Sequence, residues 1–362
     1  MSVIRRAPGY SGENAIAVLK GGIAQRAFPG AAFAVLHSGE IVLQGAVGRF
    51  TYDDTSEDVT LSTIYDIASV TKVVATTSTA MLLHEREHLD LDRPIIEFLP
   101  EFATGDPRRR KVTVEMLLAH SSGLPDYAKL FLDARDRDSL LRLAYRVPLE
   151  ADPGERAEYS DIGFILLGEI LERIAGQSLD SFCPREIFAP LSMRSTFYRP
   201  RHELRGSIPP SVDDREFRHR IIQGEVHDEN ASVMRGVAGH AGVFSNTTDL
   251  MKLAKSLLGH GPAIFRPATI RLFTQRRASP ASTFRALGWD TPSAPSQSGK
   301  YFSAYSFGHL GYTGTSLWID AERGIAIALL TNRTWPHRES QLIKQIRPAF
   351  HDAVLQEVLA IS

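Results

Sequence analysis

The chain has 362 residues, and its 41 Lys and Arg residues against 42 Asp and Glu residues leave a formal net charge of −1 at pH 7. This balance argues against nucleic acid as the main partner. Hydrophobic residues make up 43% of the chain and charged residues 23%, a globular composition that excludes the disordered, collagen-like and coiled-coil classes. The length fits about two domains, or one large domain with an insertion.

Two features of the chain are its single cysteine and its lack of long apolar runs. Cys183 is the only cysteine, so no intramolecular disulfide can form, and we interpret this thiol as a packing residue. The first 30 residues lack the apolar stretch of a secretory signal, and no apolar run approaches the ~20 residues of a membrane span. We therefore expect a cytoplasmic protein without a membrane span; a leader trimmed from this chain would make it periplasmic.

The two ends of the chain show mirrored patterns of strands and a helix. The predicted elements are, in chain order, a helix at 11–27, strands at 31–37 and 41–47, strands at 314–320 and 325–330, and a helix at about 338–359. Each pair of strands is joined by a short turn, which predicts two hairpins.

The middle of the chain follows the period of a helix instead. Amphipathic stretches lie near 70–88, 113–120, 137–145, 161–175, 178–188 and 248–258. The stretch 276–305 is rich in Ser, Pro, Ala and Thr, which predicts an irregular connection. The whole pattern predicts an α+β fold, in which one antiparallel sheet is built from both termini, flanked by helices, and carries a large, mostly helical insertion.

The first motif that carries chemistry is Ser69-Val70-Thr71-Lys72, which opens a helical pattern. A serine and a lysine three residues apart share one face of a helix. A lysine desolvated in a cleft has a lowered pKa and helps to remove the serine proton, and helical N–H groups favour negative charge where an oxyanion would form. The alternative is a helix cap followed by a surface lysine.

Two further motifs place polar groups next to predicted elements. Tyr159 lies in a loop just before the helical pattern that begins at Asp161. A phenol near a cationic lysine can serve as general base and then return its proton to a leaving group; the alternative is a loop tyrosine that packs its ring and caps a helix. His309-Leu310-Gly311 lies on or beside a C-terminal strand, where a glycine allows the backbone to approach a ligand closely.

These three motifs together resemble the penicillin-binding-protein-like serine hydrolases, which include class C β-lactamases, D-alanyl-D-alanine carboxypeptidases and β-lactamase-fold esterases. The matching elements are Ser69-x-x-Lys72, Tyr159-Ser160-Asp161 and His309-Leu310-Gly311, supported by the stretches 112–125 and 236–245. The resemblance covers roughly 30–335. It implies a β-lactamase-like fold in which a single catalytic domain spans 1–362, with an α/β part at about 1–68 and 300–362 and a mostly helical part at about 69–299.

The resemblance also implies roles for individual residues. Ser69 would be the acylated nucleophile, Lys72 and Tyr159 would handle its proton, and His309 would belong to the catalytic set. The backbone N–H groups of Ser69 and Tyr312 would form an oxyanion hole. Gly311 would lie beside them at the substrate. The reaction would proceed through an acyl-enzyme, with no metal and no organic cofactor.

Two positions depart from the usual pattern of the family. Asp161 stands where asparagine is usual, and an ionised aspartate only accepts hydrogen bonds. It would instead hold Lys72 charged, which favours Tyr159 as the base. His309 stands where β-lactamases have lysine, and it is largely neutral near pH 7, so it weakens a fixed positive anchor for a substrate carboxylate.

A polar cluster at 225–230 precedes a glycine-rich stretch at 236–240. It resembles a signature of one branch of the family near the cleft. We therefore expect a substrate-facing role for some of His227, Asp228 and Asn230. The alternative is a loop tied down by its polar side chains.

The segment from His84 to His88 matches the H-E-x-x-H pattern of zinc peptidases. It lies at the end of the helical pattern that begins at Ser69, far from that serine, so we interpret it as a solvated helix end. Zinc catalysis would also need a third ligand. No G-x-S-x-G pattern occurs, which excludes the nucleophile elbow of α/β-hydrolases.

We therefore predict a serine hydrolase that cleaves an ester or amide through an acyl-serine at Ser69. Esterase or D-amino-acid peptidase activity ranks above β-lactamase activity, because His309 and Asp161 both weaken recognition of an anionic β-lactam. The expected partner is a small-molecule ester, amide or peptide. The alternatives are a catalytically silent penicillin- or peptide-binding module on the same scaffold, and a zinc peptidase. The sequence does not indicate an oligomeric state.

Overall fold

The fold is organised around a six-stranded antiparallel sheet. The computed structural model describes residues 3–281 and 283–361. The strands are β1 (Val3–Arg6), β2 (Gly30–His37), β3 (Glu40–Gly48), β4 (Tyr65–Asp66), β5 (Phe197–Tyr198), β6 (Val212–Asp214), β7 (Arg220–Ile222), β8 (Val243–Ser245), β9 (Ser306–Leu310), β10 (Ser316–Asp320) and β11 (Ile325–Thr331).

Helices fill most of the chain between these strands. They are α1 (Glu13–Ala24), α2 (Ser78–Glu85), α3 (Val114–Leu118), α4 (Arg137–Ala144), α5 (Asp161–Ala175), α6 (Leu179–Cys183), α7 (Glu229–Val233), α8 (Thr247–Leu257), α9 (Pro267–Thr274) and α10 (Ile343–Ile361). Wider π-helical turns span Lys72–Thr77 and Pro184–Phe188, and 3₁₀ turns span Ala68–Val70, Ile95–Glu97, Pro100–Phe102, Pro107–Lys111, Leu130–Leu132 and His202–Ser207.

The main sheet has the order β1-β3-β2-β11-β10-β9, so it combines strands from both ends of the chain. The two predicted hairpins, β2–β3 and β10–β11, are both present. Side chains alternate between the faces of β2: Phe33 and Val35 pack with α1 and α10, whereas Ala34 and Leu36 pack with the helical part. Phe33 meets Phe350 of α10 edge to face at 5.3 Å. The predicted α+β fold class is therefore confirmed.

Short elements and element ends differ from the sequence expectation. The pattern gave no indication of β1 or of the small sheet β4-β8-β5, because strands of two to four residues are too short to show a period. The last helix, α10, begins at Ile343 rather than near 338. The expected irregular connection is confirmed, since the described residues of 276–305 contain no helix or strand.

Ser69, the predicted nucleophile, lies where the small sheet passes into a helix. Strand β4 pairs with β8, and a 3₁₀ turn, Ala68–Val70, then leads through the π-helical Lys72–Thr77 into α2. The start of this helix is almost wholly buried, and Lys72 has no exposed surface. A lysine is buried to this extent only when its ammonium group or amine has polar partners.

Helix α5 places the second motif against the first. Ser160 caps the helix by accepting the Gly163 N–H at 3.0 Å, and its hydroxyl donates to the carbonyl oxygen of Pro125 at 2.6 Å. The helix ends at Gly176, whose φ of 63° suits glycine. Because Tyr159 directly precedes this cap, its position is fixed by the helix start. No helix within 3–281 and 283–361 is long and apolar enough to cross a membrane.

Candidate active site

A cavity of about 790 Å³ lies between the sheet and the helical part. Its lining comes from all three motifs and from the 227–229 segment. The predicted site residues on the lining are Ser69, Tyr159, Asp161, His227, Asp228, His309, Gly311 and Tyr312. Residues separated by up to 243 positions in the sequence, from Ser69 to Tyr312, therefore meet in one place.

The hydroxyl of Ser69 is held by two proton-carrying groups. Lys72 Nζ lies 3.2 Å from Ser69 Oγ, and the Tyr159 hydroxyl lies 2.8 Å from the same atom. Both distances are within hydrogen-bond range for proton transfer. The three residues that the resemblance named as nucleophile and proton-handling partners are thus in contact.

Asp161 joins these two partners through one oxygen atom. Its Oδ1 accepts a bond from Lys72 Nζ at 2.6 Å and from the Tyr159 hydroxyl at 3.0 Å. Lys72 also donates to the carbonyl oxygen of His240 at 3.0 Å. Burial lowers the pKa of Lys72 below its usual value, and the Asp161 carboxylate offsets part of that shift. The three contacts match the three donors of an ammonium group; loss of one proton would leave two donors for Asp161 and His240 and a lone pair for Ser69.

Tyr159 is held in its neutral form by its surroundings. Burial, followed by the charge of Asp161, raises the pKa of Tyr159 well above 10. Its ring packs against His120, at 4.9 Å between centroids, and Lys72 Nζ lies 4.9 Å from the ring centre. The expected contact between Asp161 and Lys72 is present. The further expectation, that this contact favours Tyr159 as the base, stays a prediction, and the raised pKa does not support it.

His309 lies on the edge strand β9 beside Tyr159, with 6.1 Å between the ring centroids. Its Nδ1 is 2.7 Å from the carbonyl oxygen of Leu310, so this nitrogen carries the proton and Nε2 does not. Burial, followed by the charge of Lys72, lowers the pKa of His309 to about 3. The imidazole is therefore neutral at pH 7 and offers a hydrogen-bond acceptor rather than a positive anchor.

Gly311 and Tyr312 form the wall next to the nucleophile. A side chain at Gly311 would overlap Thr315 Oγ1 and the carbonyl oxygen of Ile67, so only glycine allows this strand end to approach the nucleophile turn. Within the described residues the Tyr312 N–H has no hydrogen-bond acceptor. The oxyanion hole of Ser69 and Tyr312 stays a prediction.

The three residues of the 225–230 cluster have different positions. His227 is buried, lines the cavity and packs against Tyr312 with tilted rings, 5.6 Å between their centroids. Asp228 also lines the cavity, but its Oδ1 caps α7 and accepts His240 Nε2 at 2.7 Å. Burial alone would raise the pKa of Asp228; the contact with His240 nevertheless lowers it below its usual value.

Asn230 does not reach the cavity. Its side chain donates to the carbonyl oxygen of Ala128 at 2.9 Å and accepts the N–H of Phe131 at 3.0 Å. It has no exposed surface. A substrate-facing role for Asn230 is therefore not supported, because both polar atoms of its amide are bonded to the loop that forms the cavity wall.

Sequence reasoning missed four arginines on the cavity lining: Arg285, Arg333, Arg338, which pairs with Glu229, and Arg347. Arg285 pairs with Asp290, and its guanidinium lies 5.6 Å from the Tyr159 ring centre. Arg347 lies on the buried stripe of α10. Arg347 follows Ile343 by four residues and precedes Phe350 by three, so it shares their apolar face of the helix. An arginine on an apolar helix face was a signal that could have identified it from the sequence.

The H-E-x-x-H segment lies at the end of α2. Helix α2 ends at Glu85, and His84 Nδ1 lies 3.1 Å from the carbonyl oxygen of Leu89. Across residues 3–281 and 283–361, no group of three His, Cys, Asp or Glu side chains could hold a metal ion.

The sequence and the structure can both be compared with known proteins. A family model described as beta-lactamase matches residues 15–348 of the chain. The chain belongs to the beta-lactamase family. Among curated relatives of this beta-lactamase family protein, N-acetylmuramyl-L-alanine amidase of Bacillus subtilis (strain 168) is 33% identical over 343 residues, which cover 84% of this chain and 77% of that protein. A provisionally named D-alanyl-D-alanine carboxypeptidase of Escherichia coli (strain K12) is 32% identical over 349 residues, 86% of this chain and 79% of that protein.

Solved structures share the fold of this beta-lactamase family protein. EstCE1, described as a hydrolase with promiscuous acyltransferase activity, has a TM-score of 0.77 at 19% identity and covers 95% of this chain and 98% of its own. A class C beta lactamase from Rhodobacter sphaeroides has a TM-score of 0.74 at 19% identity, with 96% and 100% covered. The expected family and fold are thus confirmed, and the protein is a serine hydrolase with the β-lactamase-like fold.

Proposed function

We propose that the protein hydrolyses an amide bond in a small peptide-like substrate that carries a carboxylate, through an acyl intermediate on Ser69. The observation that carries this proposal is a pair of buried arginines on the cavity lining, Arg333 and Arg347, for which the described residues offer no carboxylate partner. The names of the curated relatives, an amidase and a carboxypeptidase, support an amide rather than an ester substrate.

Arg333 is held against Tyr312, and Arg347 is held by the backbone of Thr315. The guanidinium of Arg333 lies 4.2 Å from the Tyr312 ring centre, and its Nε donates to the Tyr312 carbonyl oxygen at 2.6 Å. Arg347 is 4% exposed, donates to the carbonyl oxygen of Thr315 at 3.3 Å, and leaves its Nε without a partner. Burial, followed by the charge of Arg333, lowers the pKa of Arg347 to about 9. A buried cation without an anion is costly, and a substrate carboxylate would offset that cost.

The contacts around Ser69 support the following reaction. Neutral Lys72 takes the proton of Ser69 as Oγ attacks the carbonyl carbon, and the N–H groups of Ser69 and Tyr312 bind the oxyanion. Tyr159 then gives its proton to the leaving nitrogen, and the transient phenolate is stabilised by the Lys72 ammonium 4.9 Å from its ring. Water enters by the same steps in reverse and releases the acid.

His309 favours a peptide over a β-lactam in this scheme. Its unprotonated Nε2 can accept a hydrogen bond from a substrate N–H, and it provides no positive charge. We further propose that 1–362 acts as one catalytic domain, because the cavity is lined by residues of both the sheet and the helical part.

The first experiment is the intact mass of the protein after exposure to a fluorophosphonate. A single adduct on the native protein that is absent from folded Ser69→Ala supports an activated serine. No adduct on the folded native protein would refute the hydrolase mechanism and favour the silent binding module.

The second experiment compares N-acyl-D-alanyl-D-alanine with its C-terminal methylamide, which lacks the negative charge. We expect the native protein to prefer the carboxylate by about tenfold or more in kcat/KM, and Arg347→Gln to lose that preference. Arg323→Gln is the matched control, because Arg323 pairs with Asp320 at the far end of β10. Equal rates for the two peptides with the native protein would refute the anion site.

A further inference from the structure

A buried carboxylate three residues before the nucleophile connects several walls of the active site. Asp66 ends strand β4, and it is 6% exposed. Its Oδ1 accepts the N–H of Ala68 at 2.8 Å, and its Oδ2 accepts the N–H of His227 at 2.6 Å. Its own carbonyl oxygen accepts the hydroxyl of Thr313 at 2.9 Å.

The bond to Ala68 supports an unusual backbone conformation next to the nucleophile. Ala68 has a φ of 47°, in the left-handed region that residues with a side chain rarely adopt. Such a conformation persists only where its surroundings fix it. An aspartate that accepts the N–H two residues later is a known stabiliser of tight turns. The Asp66 side chain is therefore the group that holds the turn presenting Ser69.

The bond to His227 extends this restraint to the opposite wall. His227 lines the cavity and packs against the ring of Tyr312, whose N–H the proposed mechanism uses as an oxyanion donor. The hydroxyl of Thr313, the next residue after Tyr312, is bonded to the backbone of Asp66 itself. One residue thus fixes the nucleophile turn, the His227 segment and the turn after β9 relative to one another.

We propose that Asp66 is a positioning residue for acylation, which sets the geometry of Ser69 against the Tyr312 wall through its two carboxylate hydrogen bonds. This inference rests on the proposed function, since it concerns the rate at which Ser69 is acylated. Asp66 does not line the cavity, so it acts through Ala68 and His227 rather than on the substrate.

The ionisation of Asp66 gives this role a signature in the pH profile. The pKa of Asp66 is raised to about 6, mainly by burial and to a smaller extent by the charge of Asp228. The N–H groups of His227 and Ala68 and the charge of Arg218 act in the opposite direction and offset part of this shift. Both carboxylate oxygens face N–H donors. A proton on either oxygen therefore places an O–H donor against an N–H donor, and that hydrogen bond is lost. The hold of Asp66 on Ala68 or His227 weakens as the pH falls through this pKa.

The test measures the rate of Ser69 acylation by a fluorophosphonate in the full chain, from pH 4.5 to 9. Asp66→Asn keeps the size but puts an amide N–H₂ against an N–H donor, and Asp66→Glu keeps the charge but moves it by one methylene. We expect both variants to lower the maximal inactivation rate by about 10–100-fold with little change in the half-saturating concentration. Asp249→Asn is the matched control. Asp249 is also a buried carboxylate that accepts a backbone N–H, that of Ser195 at 2.6 Å, but it does not line the cavity.

Two outcomes would overturn the inference. One is acylation of Asp66→Glu at the native rate, which remains a test even where Asp66→Asn folds poorly. The other concerns the pH profile of the acylation rate. The inference fails if the native rate does not fall more steeply below about pH 6, as a second protonation requires, or if folded Asp66→Asn shows the same steeper fall. If the native protein is not labelled at all, the proposed function fails first, so the two failures are distinguishable.

Discussion

Asp161 accepts hydrogen bonds from both Lys72 and Tyr159 through one oxygen atom, so its replacement by asparagine is the most informative perturbation. In Asp161→Asn the shared oxygen remains, and it still accepts from Lys72 and Tyr159. The negative charge, 2.6 Å from Lys72 Nζ, is lost. The pKa of Lys72 should fall further, because Asp161 is the main group that raises it against the effect of burial, ahead of Asp228.

The size of this shift follows from the distance and the partial exposure of the pair. At the 2.6 Å between Lys72 Nζ and Asp161 Oδ1, two unit charges interact by about 6 kcal/mol at an effective dielectric constant of about 20, before solvent screening is counted. The Asp161 side chain is 15% exposed, so solvent screens part of this interaction. We expect the acid limb of the Ser69 acylation rate to move about 1–2 units to lower pH.

The assay is the pH dependence of fluorophosphonate inactivation, with the position of the limb as the readout rather than its height. A base with a lower pKa is unprotonated over a wider range, so the acid side of the profile gains rate. Asp126→Asn is the control, since Asp126 is an exposed carboxylate on the cavity lining whose side chain, among the described residues, bonds only the Tyr127 N–H. A limb that stays in place or moves to higher pH in Asp161→Asn would refute the assigned coupling.

Three further predictions concern residues away from the proton transfer. Gly311→Ala should lower the free energy of unfolding by about 1–3 kcal/mol and slow acylation, because the methyl group would meet Thr315 and the Ile67 carbonyl. Chemical denaturation measures this free energy, and an equal value for the variant and the native protein would contradict the prediction. Asn230→Ala should lower the free energy of unfolding by about 2–3 kcal/mol, since the Phe131 N–H and the Ala128 carbonyl oxygen lose their partners. An unchanged midpoint of thermal unfolding would rule out this effect. Burial raises the pKa of Cys183 to about 12, so this thiol should react with thiol reagents only at the rate of unfolding; fast labelling of the folded protein would disprove its burial.

Much of the fold follows from patterns that lie close together in the sequence. The hairpins of β2–β3 and β10–β11 are visible as apolar runs with turn residues between them, and α5 is visible as an apolar helical stretch after a capping serine. The spacing of Ser69 and Lys72 likewise puts both on one helical face. Periodicity of this kind reports which side of an element is buried, and it needs no knowledge of the partner.

The sequence alone therefore determined the fold class and the three motifs, and it predicted Ser69 as the nucleophile. Only the tertiary structure decided that Asp161 shares one oxygen between Lys72 and Tyr159, that burial leaves His309 neutral, and that Arg347 has no carboxylate partner among the described residues. These properties depend on desolvation and on charges brought together from distant parts of the chain. A pKa or an ion pair is set by that three-dimensional environment, which no local pattern encodes.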